Sequence, residues 1–155
     1  FLLHVKIDYP STGSERKILE LSRDEKNSKI KAFENPLTQS QLNKARAAVR
    51  DVRMSEQVEE YLVQIILATR NSDKYGGNLS DWLEFGASPR ATIALDICSK
   101  SLAWLDNRNF VTPDDIRSIA HDVLRHRLIL SFEAEANGIS SDQVVDELLK
   151  VVPSA

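Results

Sequence analysis

Gly86-Ala87-Ser88-Pro89-Arg90-Ala91-Thr92-Ile93-Ala94-Leu95-Asp96-Ile97-Cys98-Ser99-Lys100-Ser101-Leu102-Ala103-Trp104-Leu105 is the stretch that decides the class of this chain. Ser88 is a good helix N-cap, and Pro89 follows at the first helical position, where its missing N–H donor costs nothing. Ala91, Ala94, Leu95, Cys98, Leu102 and Leu105 then recur at helical spacing, and Ile93, Ile97 and Trp104 widen the stripe. A helix apolar over so much of its circumference belongs in the middle of a bundle.

The same grammar extends in both directions. Downstream, Thr112-Pro113-Asp114-Asp115 repeats the cap-plus-proline opening, with two acids complementing the helix dipole, and Ile116, Ile119, Ala120 and Val123 follow. After Asn137-Gly138, Ser140 or Ser141 caps a terminal helix that runs to Lys150. Upstream, Ser55 caps a long helix carrying Val58, Tyr61, Leu62, Ile65, Ile66 and Thr69. Thr38-Gln39-Ser40-Gln41 has capping-box spacing ahead of Leu42, Ala45 and Val49. Ser and Thr ahead of Glu15-Arg16-Lys17-Ile18-Leu19-Glu20-Leu21 predict a first helix over about residues 12–23. Residues 71–87, with Gly76-Gly77, read as a loop that folds Trp82, Leu83 and Phe85 onto the core. Residues 24–35 read as a connecting loop with a short extended piece at Ile30–Phe33. Leu3 to Ile7 alternates apolar and polar like a strand, with no partner strand in view. The expected architecture is therefore mainly α, a helical bundle of six helices with one orphan N-terminal strand.

At 155 residues the chain is long enough for one domain with a sizeable core. Against 20 Lys+Arg stand 23 Asp+Glu, and the resulting net charge of −3 argues against a nucleic-acid binder, which needs a cationic surplus. A single Cys excludes an internal disulfide and points to a reducing compartment. No apolar run approaches the length of a membrane span, and no signal-peptide pattern opens the chain. The expectation is a cytoplasmic protein that binds neither membrane nor nucleic acid. Because the strand-like opening lacks a partner, the chain reads as a piece of a longer protein, beginning inside the last strand of a preceding sheet.

Catalytic machinery is mostly missing from the sequence. None of the five glycines is followed by the Lys-Ser/Thr of a phosphate loop. Val144-Val145-Asp146-Glu147 superficially resembles a Mg²⁺-binding strand, but Leu148-Leu149 continues a helical period, so it reads as structure. His121 and His126 are five apart, about 140° around a helix, and cannot share a metal there. Cys98 lies on the apolar stripe and reads as a small core residue. Arg46, Arg50 and Arg53 form a basic stripe, either a solvated face paired with nearby acids or a contact for a neighbouring subunit or acidic partner. Arg90, in the first turn of a helix beside free backbone donors, suits a bound polyanion such as phosphate. The alternative is a surface arginine paired with Glu84 or Asp81.

Three runs give these features a family likeness. They are Gly86-Ala87-Ser88-Pro89-Arg90-Ala91, Asn107-Arg108-Asn109-Phe110-Val111-Thr112-Pro113-Asp114-Asp115-Ile116 and Val123-Leu124-Arg125-His126-Arg127-Leu128. Together they resemble the C-terminal part of MoxR-type AAA+ ATPases. Phe1 to Pro10 resembles the end of that family's ATPase core, and Ala68-Thr69-Arg70 fits the same pattern. The resemblance implies that residues 1–10 are the end of the core and a hinge, and that residues 11–153 are a helical lid. It implies that Arg90 is the sensor-2 arginine reaching the γ-phosphate of ATP, and that Tyr9, Pro10 and Ile18, at the core–lid junction, line the adenine pocket. ATP and Mg²⁺ would be held by the parent protein, whose phosphate loop and Mg²⁺-binding acids would lie upstream, so neither is expected bound to this chain alone. The implied partners are neighbouring subunits of a homo-oligomeric ring, typically a hexamer, and a von Willebrand-type protein; the implied work is chaperone-like remodelling. Without the resemblance, the residues also fit a stand-alone helical interaction module.

Overall fold

A computed structural model of the chain describes residues 1–25 and 35–154. In chain order it contains α1 (Thr12–Glu25), α2 (Gln39–Arg50), α3 (Glu56–Arg70), α4 (Leu79–Trp82), β1 (Leu83–Phe85), α5 (Pro89–Leu105), α6 (Pro113–Leu124), β2 (Ile129–Leu130), α7 (Phe132–Ala136) and α8 (Ser141–Val151). The mainly α class is that of the sequence reading, and all six long helices lie where the caps put them. The extended piece expected at Ile30–Phe33 falls outside the described residues.

Helix α5 is the hub, packing against α2, α3 and α6, while α8 closes over α3 and α6. Its buried side is Ala91, Ala94, Leu95, Cys98, Ser99 and Ala103. Apart from Leu95 these side chains are small, which lets the neighbouring helices approach closely, and larger residues fill the rest of the core: Leu62 and Ile65 of α3, Ile116 and Leu124 of α6, and Val144 and Leu148 of α8, which packs over α3 and α6. The ends are satisfied locally. Thr38 with Gln41 and Ser140 with Gln143 form complete capping boxes, and the Ser55 hydroxyl accepts from the Val58 N–H at 3.4 Å. Val144 and Val145 are buried on α8, so the acids after them belong to a helix and not to a metal-binding strand.

Three readings are corrected. The stretch 71–87 is not a plain loop: it holds a 3₁₀ turn at Ser72–Lys74, then α4 and β1, which pairs antiparallel with β2. Leu83 faces Leu130 and Phe85 faces Ile129, with a register irregularity between. Local sequence could not show this ladder, because the partner comes from beyond α6. Trp82 and Leu83 do pack on the core, but Phe85 is 60% exposed. Helix α5 is not enclosed all round; Ile93, Ile97, Trp104 and Leu105 are exposed on its outer side. Arg53 is not on the Thr38 helix, which ends at Arg50; its backbone instead bridges to the linker before α6, donating to the Asn109 carbonyl and accepting from the Val111 N–H, both at 2.9 Å.

The N-terminal residues make no ladder among the described residues, as an orphan strand must. They are tied down through their main chain. The His4 N–H donates to the Asp122 carbonyl at 2.8 Å, and Arg127 donates to the Leu2 carbonyl at 3.1 Å and the Phe1 carbonyl at 2.7 Å. Arg125 reaches the His4 carbonyl while pairing with Asp122 and Asp142. Beyond this tie α1 is exposed from residue 12 to residue 24, including Ile18, Leu19 and Leu21. No helix among the described residues is long and apolar enough to cross a membrane.

The turn between α5 and α6 is held by several hydrogen bonds. Asn107 takes φ 58°, the left-handed conformation of a helix-ending residue, and the Asn107 and Arg108 N–H groups close on the Trp104 and Ala103 carbonyls at 3.0 and 2.8 Å. Arg108 then grips Asp115 with two bonds of 2.8 and 2.6 Å, and Asp115 accepts from the Thr112 N–H at 2.7 Å to cap α6. Burial pushes the Asp115 carboxyl up, but Arg108 and Thr112 outweigh it and hold the group below its usual range.

Two outcomes follow from the packing and from this turn. Leu62→Ala or Leu95→Ala, both almost fully buried, should each cost about 2–5 kcal/mol in denaturant unfolding; a loss near zero would mean that these helix faces are misplaced. Since the folded Asp115 titrates below its unfolded value of about 3.9, its contribution is present above that pH and lost as pH falls through the lower folded value. Thermal midpoints measured from pH 6 downward should therefore fall less steeply for Asp115→Asn than for the native chain.

Candidate functional site

The start of α5 is built by the end of α3. Thr69, buried at 2% exposure, accepts from the Ala87 N–H at 2.9 Å through its hydroxyl and donates to the Ile66 carbonyl at 2.7 Å. Arg70 Nε donates to the Ala87 carbonyl at 2.8 Å. Both backbone groups of Ala87 are thereby fixed to consecutive residues of α3. Gly86 makes the approach feasible: a Cβ there would lie 2.2 Å from the Thr69 carbonyl oxygen, with backbone and not a flexible side chain in the way.

This clamp aims the first turn of α5 into solvent. Ser88, Pro89 and Arg90 are all exposed. Ser88 has the extended backbone of an N-cap but makes no side-chain bond to the first turn; its carbonyl accepts from the Ala91 N–H at 2.8 Å and Pro89 has no N–H, which leaves the Arg90 N–H without an acceptor among the described residues. Among the described residues Arg90 has no hydrogen bond or ion pair, and the pairing considered with Glu84 or Asp81 is not made. The result is a free guanidinium beside an open backbone N–H of the same residue, an arrangement suited to an anion with several oxygens.

The other residues singled out in the sequence lie elsewhere. Tyr9 is fully exposed, Pro10 is exposed, and Ile18 is half-exposed on α1. No hydrogen bond or ion pair links any of them to Arg90 among the described residues. Arg125 and Arg127 grip the N-terminal segment, and between them the His126 ring meets His4 edge-on at 5.8 Å. Burial, with Arg127 next to it, lowers the His126 pKa. His121 pairs with Asp146 on α8 at 3.1 Å. Cys98 is buried in the core, and burial raises its thiol pKa, as befits a packing residue. Arg46 and Arg50 line a groove between α2 and α5. The roles of Thr69 and Gly86 were missed in the sequence. The signal was there in part: a threonine in an apolar stripe, and a glycine just before a cap.

Residues 80–148 match the AAA lid domain family. Over 98% of its length the chain is 31% identical to the Mycobacterium tuberculosis protein named chaperone MoxR1, covering 40% of it. It is 32% identical over 98% of its length to Bacillus subtilis YeaC, covering 44%. The crystal structure of a candidate ATPase from Cytophaga hutchinsonii superposes on the whole chain with a TM-score of 0.89 at 31% identity, the chain covering 47% of it. The chain thus spans less than half the length of each of these proteins.

The clamp is open to direct measurement. Thr69→Val keeps the shape but leaves the buried Ala87 N–H without an acceptor, and should cost about 1–3 kcal/mol of unfolding free energy. Gly86→Ala should destabilise the fold as well, since the new methyl meets backbone. If both variants unfold like the native chain, α3 does not hold this loop.

Proposed function

The chain is the lid part of a MoxR-type AAA+ ATPase, and on that premise we propose that Arg90 is its sensor-2 arginine. In this reading the ATPase core of the whole protein holds ATP and Mg²⁺, and Arg90 reaches the γ-phosphate from the lid. Charge on the transferring phosphoryl group spreads over its outer oxygens, and a preorganised guanidinium stabilises that charge without reorganising at the moment of reaction. The observation that carries the proposal is the unpaired Arg90, with its open backbone N–H, in a helix turn that is itself fixed to α3. An arginine held by a neighbouring carboxylate would have to break that pair first; this one does not.

Residues 1–10 and the lid proper, residues 11–153, then divide the work. The first segment connects to the core. Tyr9, Pro10 and Ile18, all exposed, are free to line the adenine side at that junction. Rotation of the lid about the connection would move Arg90 toward or away from the phosphates and pass nucleotide state to the next subunit of a ring, read as a hexamer. The whole protein is read as a cytoplasmic chaperone-like ATPase. This chain, whose glycines form no phosphate loop, supplies one contact of several and should not hydrolyse ATP by itself. The von Willebrand-type partner implied by the family likeness has no counterpart among the features described above and adds nothing to this reading.

The test is steady-state ATP turnover by the full-length protein, native against Arg90→Ala, with nucleotide affinity alongside. Turnover should drop by about a hundredfold or more, as for the loss of one preorganised transition-state donor, with the thermal midpoint unchanged. Unaltered turnover and affinity would make Arg90 an ordinary surface residue.

A further inference from the structure

The outer side of α5 and the adjoining face of α2 enclose a groove of about 460 Å³. Leu42, Ala45 and Val49 of α2 and Ile97, Trp104 and Leu105 of α5 make its apolar surface. None of these six residues is fully buried, and Leu105 is 68% exposed. A second cavity of about 720 Å³ shares Trp104 and Leu105 and carries the trough past the end of α5, where Asn107 and Asn109 add polar groups. The trough is thus bounded by helices of 12 and 17 residues, which gives it room for a helix of about three turns.

Charge decides what fits. Arg46 and Arg50 stand on the α2 rim, and among the described residues neither has a hydrogen bond or ion pair. On the α5 rim Lys100 is already neutralised by Asp96 at 2.8 Å. Two uncompensated cations therefore flank the apolar floor of a chain whose net charge is −3. Their placement is specific, since the protein as a whole would repel an acidic partner that this rim attracts.

We propose that the α2–α5 trough is a docking site for an acidic amphipathic helix of a partner protein. The helix lays its apolar stripe on Ile97, Trp104 and Leu105 and its flanking carboxylates against Arg46 and Arg50. The site is on a different part of α5 from Arg90, so it does not depend on the nucleotide role. Arginine suits the rim because its planar fork can take a carboxylate with two bonds. Trp104 and Leu105, shared by both cavities, are the anchor of the contact.

The experiment uses the full-length protein and two fluorescein-labelled three-turn helical peptides with the same leucine stripe, one flanked by Glu and the other by Lys. Anisotropy titrations at low and raised salt give the affinities. The Glu peptide should bind about tenfold or more tightly than the Lys peptide, with the advantage shrinking as salt screens the rim. Arg46→Glu with Arg50→Glu should abolish the preference. Leu105→Gln, a change at an exposed position, should weaken both peptides while the thermal midpoint is retained. Equal affinities, no binding of either peptide, or charge reversal without effect would each overturn the proposal. So would a charge reversal that alters the sedimentation of the full-length protein but leaves peptide affinity alone, since that assigns the trough to a second copy.

Discussion

The lid is organised around one close approach: the backbone of Gly86 pressed against the carbonyl of Thr69. Helices packed through side chains stand roughly 8–10 Å apart and can slide by fractions of an ångström. A loop bonded to a helix end through its own amide and carbonyl has far less freedom. Here Thr69 and Arg70 take both backbone groups of Ala87, and three residues later the chain presents Arg90. The point from which that arginine leaves the backbone is therefore set by hydrogen bonds to α3, and not by a loose surface loop. Burial of Ala91, Ala94 and Leu95 on the next turns secures the other side of the same helix.

Much of this was legible in the sequence, and the reasons are local. Several long helices are announced by a cap whose hydrogen bonds form as expected, at Thr38, Ser55 and Ser140, and the stripes of α3, α6 and α8 have one dominant face. The failures have a common cause. The β1–β2 ladder, the Arg53 bridge and the Thr69 clamp are all made between residues distant in sequence; the first two use only backbone groups that every residue possesses, and the clamp joins two α3 side chains to the backbone of Ala87. A sequence carries no composition signal for a carbonyl that will accept a bond from fifty residues away. Arg90 was legible as a position but not as a state: the helix start was plain, whereas its freedom from Glu84 and Asp81 had to be seen.

Helix α5 carried the most instructive ambiguity. Its sequence is apolar over most of the circumference, which normally marks a fully enclosed helix. The structure divides most of that circumference by size: alanines, Cys98 and Ser99 face the bundle, with Leu95 the one large residue among them, while Ile93, Ile97, Trp104 and Leu105 face outward. Small residues let neighbours approach closely, and large ones exposed together leave apolar surface that water covers at a cost. Periodicity measures how much of a helix is apolar. It does not say which part of the apolar surface the same chain will cover.

The tie at the N-terminus has a consequence of another kind. Arg125 and Arg127 read the carbonyls of Phe1, Leu2 and His4, and Asp122 reads the His4 amide. Such a grip is blind to side-chain identity. Apart from the His4 ring, which meets His126, the main-chain grip leaves the side chains of the segment open to change, but a proline at position 4 would have no amide to offer. The attachment is written in the arginines of the receiving helix end, so sequence drift in the incoming strand would leave the joint intact, while a single change at position 125 or 127 would loosen it.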